Sequence, residues 1–498
     1  MSFPKFGSAK LHIKFFISKN ESGMNYKISC KEKQSKYLQI EASFSNVNKT
    51  IQKINLPAWR PGRYQIQNFA KYLRKVKAFD QSGKSLDIKK SSKDIWVVKT
   101  KGQSEIILTY EFYADIKNAG GSYIDETFFY LNPINCLMYI EDKQDEQCVL
   151  DIDFNLNVDV SCGMPCEKNG SITTFSANDY HELVDSPIMI SSKIQHKTYE
   201  VAGSIFHIWI KGKIEVPWKK VLNDFKKFTQ EQINVFGEFP EENYHFMLWM
   251  TPMAYYHGVE HKNSTMMTLG PDGQEFDAIY TDLLGLASHE LFHTWNAKRI
   301  RPKELLPYNY SKENYFDTCF VAEGLTTFYG DWILYRSGVF SKEQYQKELE
   351  TTLRRHFENA DKADLSLLES SYDLWLDGYE KGTPNRKVSV YHKGAVAALL
   401  LHHKIKSATD NVKSLDDVLK ELWTQFGKPY VGYSYKNYQN ICQEVIGGKL
   451  NNYFKKVIAG NESLKKETAQ ALKDLGFEMS EDEKGFISLQ NFDVEKKA

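Results

Sequence analysis

The feature that most constrains this chain is an HExxH pattern at residues 289–293, which read His-Glu-Leu-Phe-His. On an α-helix, residues four apart lie about 40° from each other around the axis, so both histidines face the same side. Two imidazoles on one face can bind the same metal ion, and Glu290 lies beside them. Apolar residues precede the pattern at 283, 284, 286 and 287. We therefore predict a buried helix on which His289 and His293 bind a metal ion.

A catalytic zinc site of this kind needs a third protein ligand and an open position for water. Glu323 lies in an apolar helical segment, Phe-Val-Ala-Glu-Gly-Leu-Thr at residues 320–326. The alternative interpretation is a carboxylate on a surface helix, but burying an unpaired carboxylate in such a neighbourhood is costly. The sequence thus predicts one Zn²⁺ per chain, bound by His289, His293 and Glu323, with Glu290 as the catalytic base.

Two further segments carry candidate residues. Gly258 and Glu260 follow a predicted buried strand at residues 243–250, and a carboxylate just after an edge strand can bind the free ammonium terminus of a peptide. Tyr391 precedes an apolar helix, where its phenol could donate to the oxyanion of a tetrahedral intermediate. An ordinary loop glutamate and a packing tyrosine are the alternative interpretations of Glu260 and Tyr391.

The chain changes from β-rich to α-rich along its length. Runs of β-branched and aromatic residues, separated by Gly, Asn, Asp and Ser clusters, predict an antiparallel β domain within residues 1–200. These runs lie at 11–17, 37–44, 95–98, 106–113 and 149–154. Helical periodicity begins at 217–236, and Ser341 and Ser414 each mark a helix start, the second helix extending to residue 426. The fold class predicted is α+β.

Composition excludes several classes of protein. Lys and Arg number 64, as do Asp and Glu, so there is no basic surface of the kind that binds nucleic acid. No stretch is apolar for long enough to span a membrane, and the first residues lack the pattern of a signal peptide. The seven cysteines are scattered, which indicates a reducing compartment. We expect a cytoplasmic protein, and its oligomeric state is left open.

Beyond the HExxH pattern, the chain resembles the glycyl aminopeptidase family of zinc peptidases (metallopeptidase family sixty-one), within the thermolysin-like gluzincins. The similarity rests on ordered matches along nearly the whole chain. They are PAWRPGRY (57–64) with NFA (68–70), ELVDSP (182–187), GVEH (258–261), HELFHTWNAKRIRP (289–302), EGLT (323–326) with YGD (329–331), SYDLW (371–375) and YHKG (391–394).

The resemblance implies a thermolysin-like catalytic domain, a small sheet with active-site helices, at residues 201–462. It implies a zinc aminopeptidase that acts on peptides with small first residues, glycine and alanine. It also implies the roles given above for the metal ligands and Glu290, with Glu260 and Gly258 binding substrate and Tyr391 stabilising the oxyanion. His257 stands where the family has glycine. The tail, 463–498, is too short for the PDZ domain usual in the family, so we expect one helix followed by a short strand or by disorder.

Two other functions fit the same residues. The hydrolase could act as an endopeptidase, which differs in needing no free N-terminus. The chain could instead be a peptide-binding scaffold that kept the fold without catalysis. The intact set of His289, Glu290, His293 and Glu323 argues against the scaffold, because loss of activity usually removes one of them. We therefore expect peptide substrates, and neither nucleic acid nor membrane as a partner.

Overall fold

The structure is a computed structural model that describes residues 23–154, 158–361, 363–380 and 382–491, so the predicted strand at 11–17 lies outside it.

Strands and helices are numbered along the chain. The strands of the first 200 residues are β1 Met24–Ser29, β2 Tyr37–Phe44, β3 Ile51–Asn55, β4 Leu73–Phe79, β5 Ser85–Leu86, β6 Ile88–Lys90, β7 Ile95–Lys99, β8 Ile106–Tyr113, β9 Tyr123–Ile124, β10 Phe128–Leu131, β11 Cys148–Asp153, β12 Asp159–Ser161, β13 Cys166–Asn169, β14 Ile172–Ala177, β15 Ile188–Ser191 and β16 Gln195–Val201. The later strands are β17 Ser204–Lys211, β18 Asn243–Met250, β19 Tyr255–Glu260, β20 Ser264–Gly270, β21 Phe477–Glu481 and β22 Ile487–Asn491. The helices are α1 Tyr180–Val184, α2 Trp218–Phe236, α3 Phe276–Phe292, α4 Leu325–Arg336, α5 Lys342–Phe357, α6 Leu367–Tyr372, α7 Leu374–Asp377, α8 His392–Ala408, α9 Leu415–Leu422, α10 Tyr435–Ile446, α11 Asn451–Tyr453 and α12 Lys465–Asp474.

The N-terminal region is built on an eight-stranded sheet in the order β13-β14-β11-β1-β2-β8-β4-β5. Its pairs are antiparallel except for β1 with β11, which run parallel. Buried and half-buried residues alternate along β2, as expected for a strand with one face toward a core. Two smaller sheets, β12-β15-β10-β9 and β3-β7-β6, complete the region. The predicted antiparallel β region is confirmed, with one parallel pair added.

The catalytic region contains a five-stranded sheet in the order β16-β17-β18-β20-β19. The central strand β18 pairs in parallel on both sides, which explains its almost continuous apolar sequence. Helices α2 and α3 cover one face of this sheet, and aromatic residues of the N-terminal region cover the other. Strand β19 is antiparallel to β20 and forms the edge. The α+β class predicted from the sequence is therefore confirmed.

Helices make up most of the chain after residue 276. Ser341 and Ser414 each form a capping box at the start of a helix, α5 and α9, as their sequences predict. Helix α9 ends at Leu422 and continues as a π-helical turn, so the α-helix is shorter than the predicted one. Among the described residues, none of the helices has both the length and the apolar character that crossing a membrane requires.

The tail forms α12 and then the hairpin β21–β22, one strand more than expected. Gln346 on α5 donates to the carbonyl oxygen of Leu489 in this hairpin at 2.7 Å, so the tail packs on the helical region. We propose that the domain limits 1–200, 201–462 and 463–498 describe the chain, with the tail as an accessory to the catalytic region.

One N-terminal segment crosses into the catalytic region. We call residues 57–64 the crossing segment. The indole of its Trp59 donates to the carbonyl oxygen of Asn309 at 2.8 Å. The Trp59 ring also packs edge-on against Trp375, with 4.9 Å between ring centroids. Trp59 and Tyr64 belong to the same apolar core as α3 and α4. The N-terminal region thus supplies part of the core that surrounds the candidate site.

Candidate metal centre and active site

Helix α3 carries the HExxH pattern, and the structure places both histidines on one face as predicted. His289 and Glu290 lie in its last turn, and His293 follows directly. The Nε2 atoms of His289 and His293 are 3.1 Å apart. The helix is buried between the sheet and α4, since its residues 283, 284, 286 and 287 belong to the core. The two imidazoles therefore converge on one point at the C-terminal end of a buried helix.

Glu323 completes the cluster from the neighbouring helix. It lies in a π-helical turn, Phe320–Gly324, that leads directly into α4. Its Oε2 is 3.5 Å from Nε2 of His293 and 4.0 Å from Nε2 of His289. The possible ligand atoms of the three residues all lie within 4.8 Å of one another. Single π-helical turns often occur at functional sites, where the extra residue redirects a side chain.

Hydrogen bonds orient two of these ligand candidates, Glu323 and His293. The hydroxyl of Tyr64, from the crossing segment, donates to Oε1 of Glu323 at 2.7 Å. Nδ1 of His293 lies 2.9 Å from the carbonyl oxygen of Asn296. Because a carbonyl only accepts, Nδ1 carries a proton, which leaves Nε2 as the nitrogen of His293 that can bind a metal. Such supporting bonds fix the orientation of metal ligands.

Asn296 also ties the two ligand-bearing helices together. Its side-chain amide donates to the carbonyl oxygens of Val321 at 2.8 Å and Ala322 at 3.0 Å. The same amide bonds Oγ1 of Thr326 at 3.0 Å. All these groups are buried, so the bonds are shielded from water. Asn296 therefore helps to fix the π-helical turn relative to the segment that follows α3.

The electrostatics of the cluster favour a cation. Burial lowers the pKa of His289 to about 3, which keeps its imidazole neutral. Burial also acts to lower the pKa of His293, but the adjacent Glu323 carboxylate outweighs it and raises that pKa to about 10. The site thus stabilises positive charge where the three side chains meet. Two imidazoles, which bind metals in their neutral form, and one carboxylate form a donor set that fits zinc.

Glu290 stands beside this cluster and is itself buried. Its Oε2 has no hydrogen-bond partner among the described residues. Burial raises the pKa of Glu290, and the carboxylates of Glu260 and Glu323 add to the effect while His293 opposes it. A Cβ atom at Gly258 on β19 would overlap the Glu290 carboxylate. Only glycine at position 258 allows the edge strand to approach Glu290 this closely, which explains why this position has no side chain.

Glu260 follows the buried strand predicted at 243–250, which is β18, and is the last residue of β19, an edge strand that was not predicted from the sequence. Residues 255–260 form this strand by pairing with β20 along their full length. Glu260 is 7% exposed. Gly62 of the crossing segment has φ of +77° and packs directly on the Glu260 carboxylate, where a Cβ atom would overlap it. Glu260 therefore lies between the edge strand and the N-terminal region.

Tyr391 precedes α8, as predicted, and the close packing of α8 brings it to the cluster. Gly394 of α8 and Gly324 of the π-helical turn are in backbone contact, and neither position has room for a Cβ atom. The hydroxyl of Tyr391 is 3.2 Å from that of Tyr379. Burial, and then the negative charge of Glu323, raise the pKa of Tyr391 well above its usual value. Its phenol therefore stays protonated and can donate a hydrogen bond.

Four of these residues, Gly258, His289, Glu290 and Tyr391, line a cavity of about 590 Å³. Acidic residues of α3, α4 and α5 line the same cavity: Asp282, Asp331 and Glu348. Among those, burial raises the pKa of Asp331 to about 7, with a further contribution from Glu348. A cavity of this size accommodates several residues of an extended peptide.

Sequence reasoning missed three residues of the site: Tyr64, Asn296 and Tyr379. Tyr64 and Asn296 stand within the motifs that carry the family resemblance, yet nothing in their immediate neighbours indicates a partner more than 20 residues away. Tyr379 lies outside those motifs. Their roles depend on long-range contacts, which no local pattern encodes.

Tyr64→Phe is expected to weaken zinc binding by about 10- to 100-fold, because Glu323 loses the hydrogen bond that orients it. The measurement is zinc affinity by competition with a fluorescent chelator. Tyr72→Phe is the matched control, since Tyr72 also lies in the N-terminal region but packs on Phe112, away from the cluster. Unchanged zinc affinity in Tyr64→Phe would show that the bond from Tyr64 does not support the metal site.

Comparisons with known proteins agree with this geometry. The model of the peptidase M61 N-terminal domain matches residues 25–192, and that of the M61 glycyl aminopeptidase matches residues 282–397. A search of curated proteins gave no match. Among solved structures, an aminopeptidase N family protein from Idiomarina loihiensis is 27% identical with a TM-score of 0.85, over 92% of this chain and 79% of that one.

More distant structures share the fold. An M1 zinc metallopeptidase from Deinococcus radiodurans is 11% identical with a TM-score of 0.53, over 89% of this chain and 94% of that one. A variant of that protein bound to a Tyr-Ser-Ala substrate has a TM-score of 0.52 at 11% identity, with the same coverage of both chains. Two models of one family match along the chain, and a His-His-Glu cluster that can hold a metal lies within the second match. The chain therefore belongs to the M61 glycyl aminopeptidase family and is a metallopeptidase.

Proposed function

We propose that this metallopeptidase is a zinc-dependent aminopeptidase that hydrolyses the first peptide bond of peptides with small first residues, glycine and alanine. The observation that carries the proposal is the placement of Glu260. This buried carboxylate lies two residues from Gly258, which packs on Glu290, so an anion for a free ammonium group stands next to the catalytic carboxylate. The preference for small residues rests on the family resemblance.

His289, His293 and Glu323 would hold one zinc ion per chain. When bound there, zinc lowers the pKa of a water molecule and polarises the carbonyl of the peptide bond. The support for this assignment is the convergence of the three ligand candidates and their preference for positive charge. Tyr64 and Asn296 keep Glu323 and His293 oriented for that task.

Glu290 is the proposed general base and acid. Its Oε2 is buried without a partner, and burial raises its pKa, so it has affinity for a proton. It accepts a proton from the attacking water and then delivers that proton to the nitrogen of the leaving amine. A carboxylate with an ordinary pKa would hold the proton too weakly to deliver it.

Tyr391 is the proposed donor to the carbonyl oxygen of the scissile bond. Its hydroxyl stays protonated because burial and Glu323 raise its pKa, and it lies 3.2 Å from the hydroxyl of Tyr379. Negative charge develops on the carbonyl oxygen as the bond is attacked, and a fixed phenol donor stabilises that charge without reorganisation. Tyr379 holds the Tyr391 hydroxyl in place.

Glu260 is the proposed anchor for the substrate amine, and Gly258 lets the substrate backbone lie along the edge of β19. An ammonium group bound to a buried carboxylate makes charge-assisted hydrogen bonds, which are stronger than neutral ones. With the amine fixed at Glu260, only the first peptide bond reaches Glu290. An endopeptidase would need no such anchor.

The test compares a free and an N-acetylated alanyl peptide of the same sequence. We expect the acetylated peptide to be cleaved at least about 100-fold more slowly, because acetylation removes the charge that Glu260 binds. Glu260→Gln should lower kcat/KM for the free peptide by about 30- to 1000-fold, the range for losing one partner of a buried charge pair. Glu242→Gln, an exposed position before β18, is the control. Equal cleavage of both peptides would overturn the aminopeptidase assignment in favour of an endopeptidase.

A further inference from the structure

A buried arginine close to the candidate active site has no anionic partner. Arg60, in the crossing segment, is only 3% exposed. Its Nη1 donates to the carbonyl oxygen of Pro61 at 3.1 Å, and its Nη2 lies 3.4 Å from Nε2 of His257. Its Nε has no hydrogen-bond partner, and no carboxylate of the described residues lies within 4.0 Å of the guanidinium. Buried charges in proteins are normally paired, so this arrangement is incomplete.

Arg60 lines a cavity of about 390 Å³ that is separate from the catalytic one. Two more cations, Arg63 and Lys71, line it, against a single carboxylate, Glu380. Glu380 already accepts a hydrogen bond from Gln65 at 3.1 Å. The cavity therefore has an excess of positive charge, and Arg60 is the most buried of its three cations.

His257 lines both this cavity and the catalytic one, so the two cavities share a wall residue. It directly precedes Gly258, which packs on Glu290. Gly120 packs so tightly on the Arg60 guanidinium that a Cβ atom would overlap it. The guanidinium is therefore held in place, and its Nε–H donor is fixed and unused.

We propose that Arg60 receives a carboxylate of the peptide substrate, an inference that rests on the proposed aminopeptidase function. A guanidinium is planar and presents paired N–H donors that match a carboxylate. A peptide whose amine is bound at Glu260 can offer a carboxylate from two sources. The C-terminus of a short peptide agrees with the proposed preference for glycine and alanine, and the side chain of an acidic first residue is the other source that the experiment distinguishes. Burial lowers the pKa of Arg60 and the nearby charge of Glu260 opposes that effect, so the proposed amine anchor and the carboxylate site lie in the same neighbourhood.

The experiment uses the full-length zinc enzyme and three substrates: Ala-Ala amide, Ala-Ala with a free C-terminus, and Asp-Ala amide. The measured quantity is the ratio of kcat/KM for each carboxylate substrate to that for Ala-Ala amide. Arg60→Gln is expected to lower one of the two ratios by about 10- to 100-fold, as for the loss of a charge-assisted bond. The change should appear in KM. The ratio that falls identifies the source of the carboxylate.

Two further variants keep the test decisive. Arg60→Lys retains the charge without the paired donors, and we expect a smaller fall, about 3- to 10-fold, in the same ratio. Arg74→Gln is the control, because Arg74 pairs with Glu111 on β8, is not part of this cavity and should leave both ratios unchanged. Equal losses on all three substrates, or unchanged ratios in Arg60→Gln, would overturn the proposal. A wild-type enzyme that cleaves none of the three would instead refute the proposed function.

Discussion

Glu290→Gln is expected to lower kcat for alanyl peptides by about 10²- to 10⁴-fold, the contribution of a positioned general acid–base group. Glutamine has the shape of glutamate but cannot accept and return a proton at this position. Gly258 packs directly on the Glu290 carboxylate, so there is no space for a larger side chain at position 290. Glutamine has the same size as glutamate and therefore preserves this packing. The zinc content should stay near one per chain, because the variant retains His289, His293 and Glu323.

The measurement pairs kcat with metal analysis of the same preparation. Asp277→Asn is the matched control, since Asp277 lies on the same helix but is exposed and pairs with Lys220. The control should keep both activity and zinc. Normal turnover in Glu290→Gln would show that another group moves the proton. Lost zinc together with lost turnover would show that Glu290 acts on the metal site and not on the reaction.

Glu323→Ala is expected to remove both zinc and activity. The variant deletes one of three ligands and leaves Tyr64 without the acceptor of its hydrogen bond. Loss of Glu323 also removes the charge that makes the cluster favour a cation, because this carboxylate is what raises the pKa of His293. We expect a zinc content below about 0.1 per chain after dialysis and activity at the background level.

The control for this variant is Asp317→Asn, an exposed acidic residue a few positions before Glu323. It should bind zinc like the wild type. Circular dichroism of Glu323→Ala separates loss of the metal from loss of the fold. If the folded variant kept its zinc, Glu323 would not be a ligand, and the third ligand would have to come from elsewhere in the cavity. Tyr64→Phe should lose less zinc than Glu323→Ala when the metal content is measured in the same way.

The features that the sequence predicted are those encoded locally. The positions of His289 and His293 on one helical face follow from the four-residue spacing, and the boundaries of α5 follow from its capping box. Glu323 was predicted because an acidic residue in an apolar helical segment requires a partner. That α3 and the π-helical turn bring the three together could be expected only from the need for a third ligand.

The features that were missed depend on distant parts of the chain. The edge strand β19 includes Glu260 because β20 pairs along its full length, which the segment itself does not reveal. The bond from Tyr64 to Glu323 joins residues 259 positions apart. Arg60 stands in a motif of the family resemblance, and only the structure shows that its guanidinium is buried. Such contacts are properties of packing between regions.

The crossing segment has a consequence for how activity arises in a newly made chain. Gly62 packs on the proposed amine anchor, and Tyr64 orients a proposed metal ligand, although both come from the region that is synthesised first. In a newly made chain the HExxH helix therefore lacks this supporting bond and one wall of the proposed substrate site until the crossing segment has docked. Docking of the two regions thus completes the proposed site.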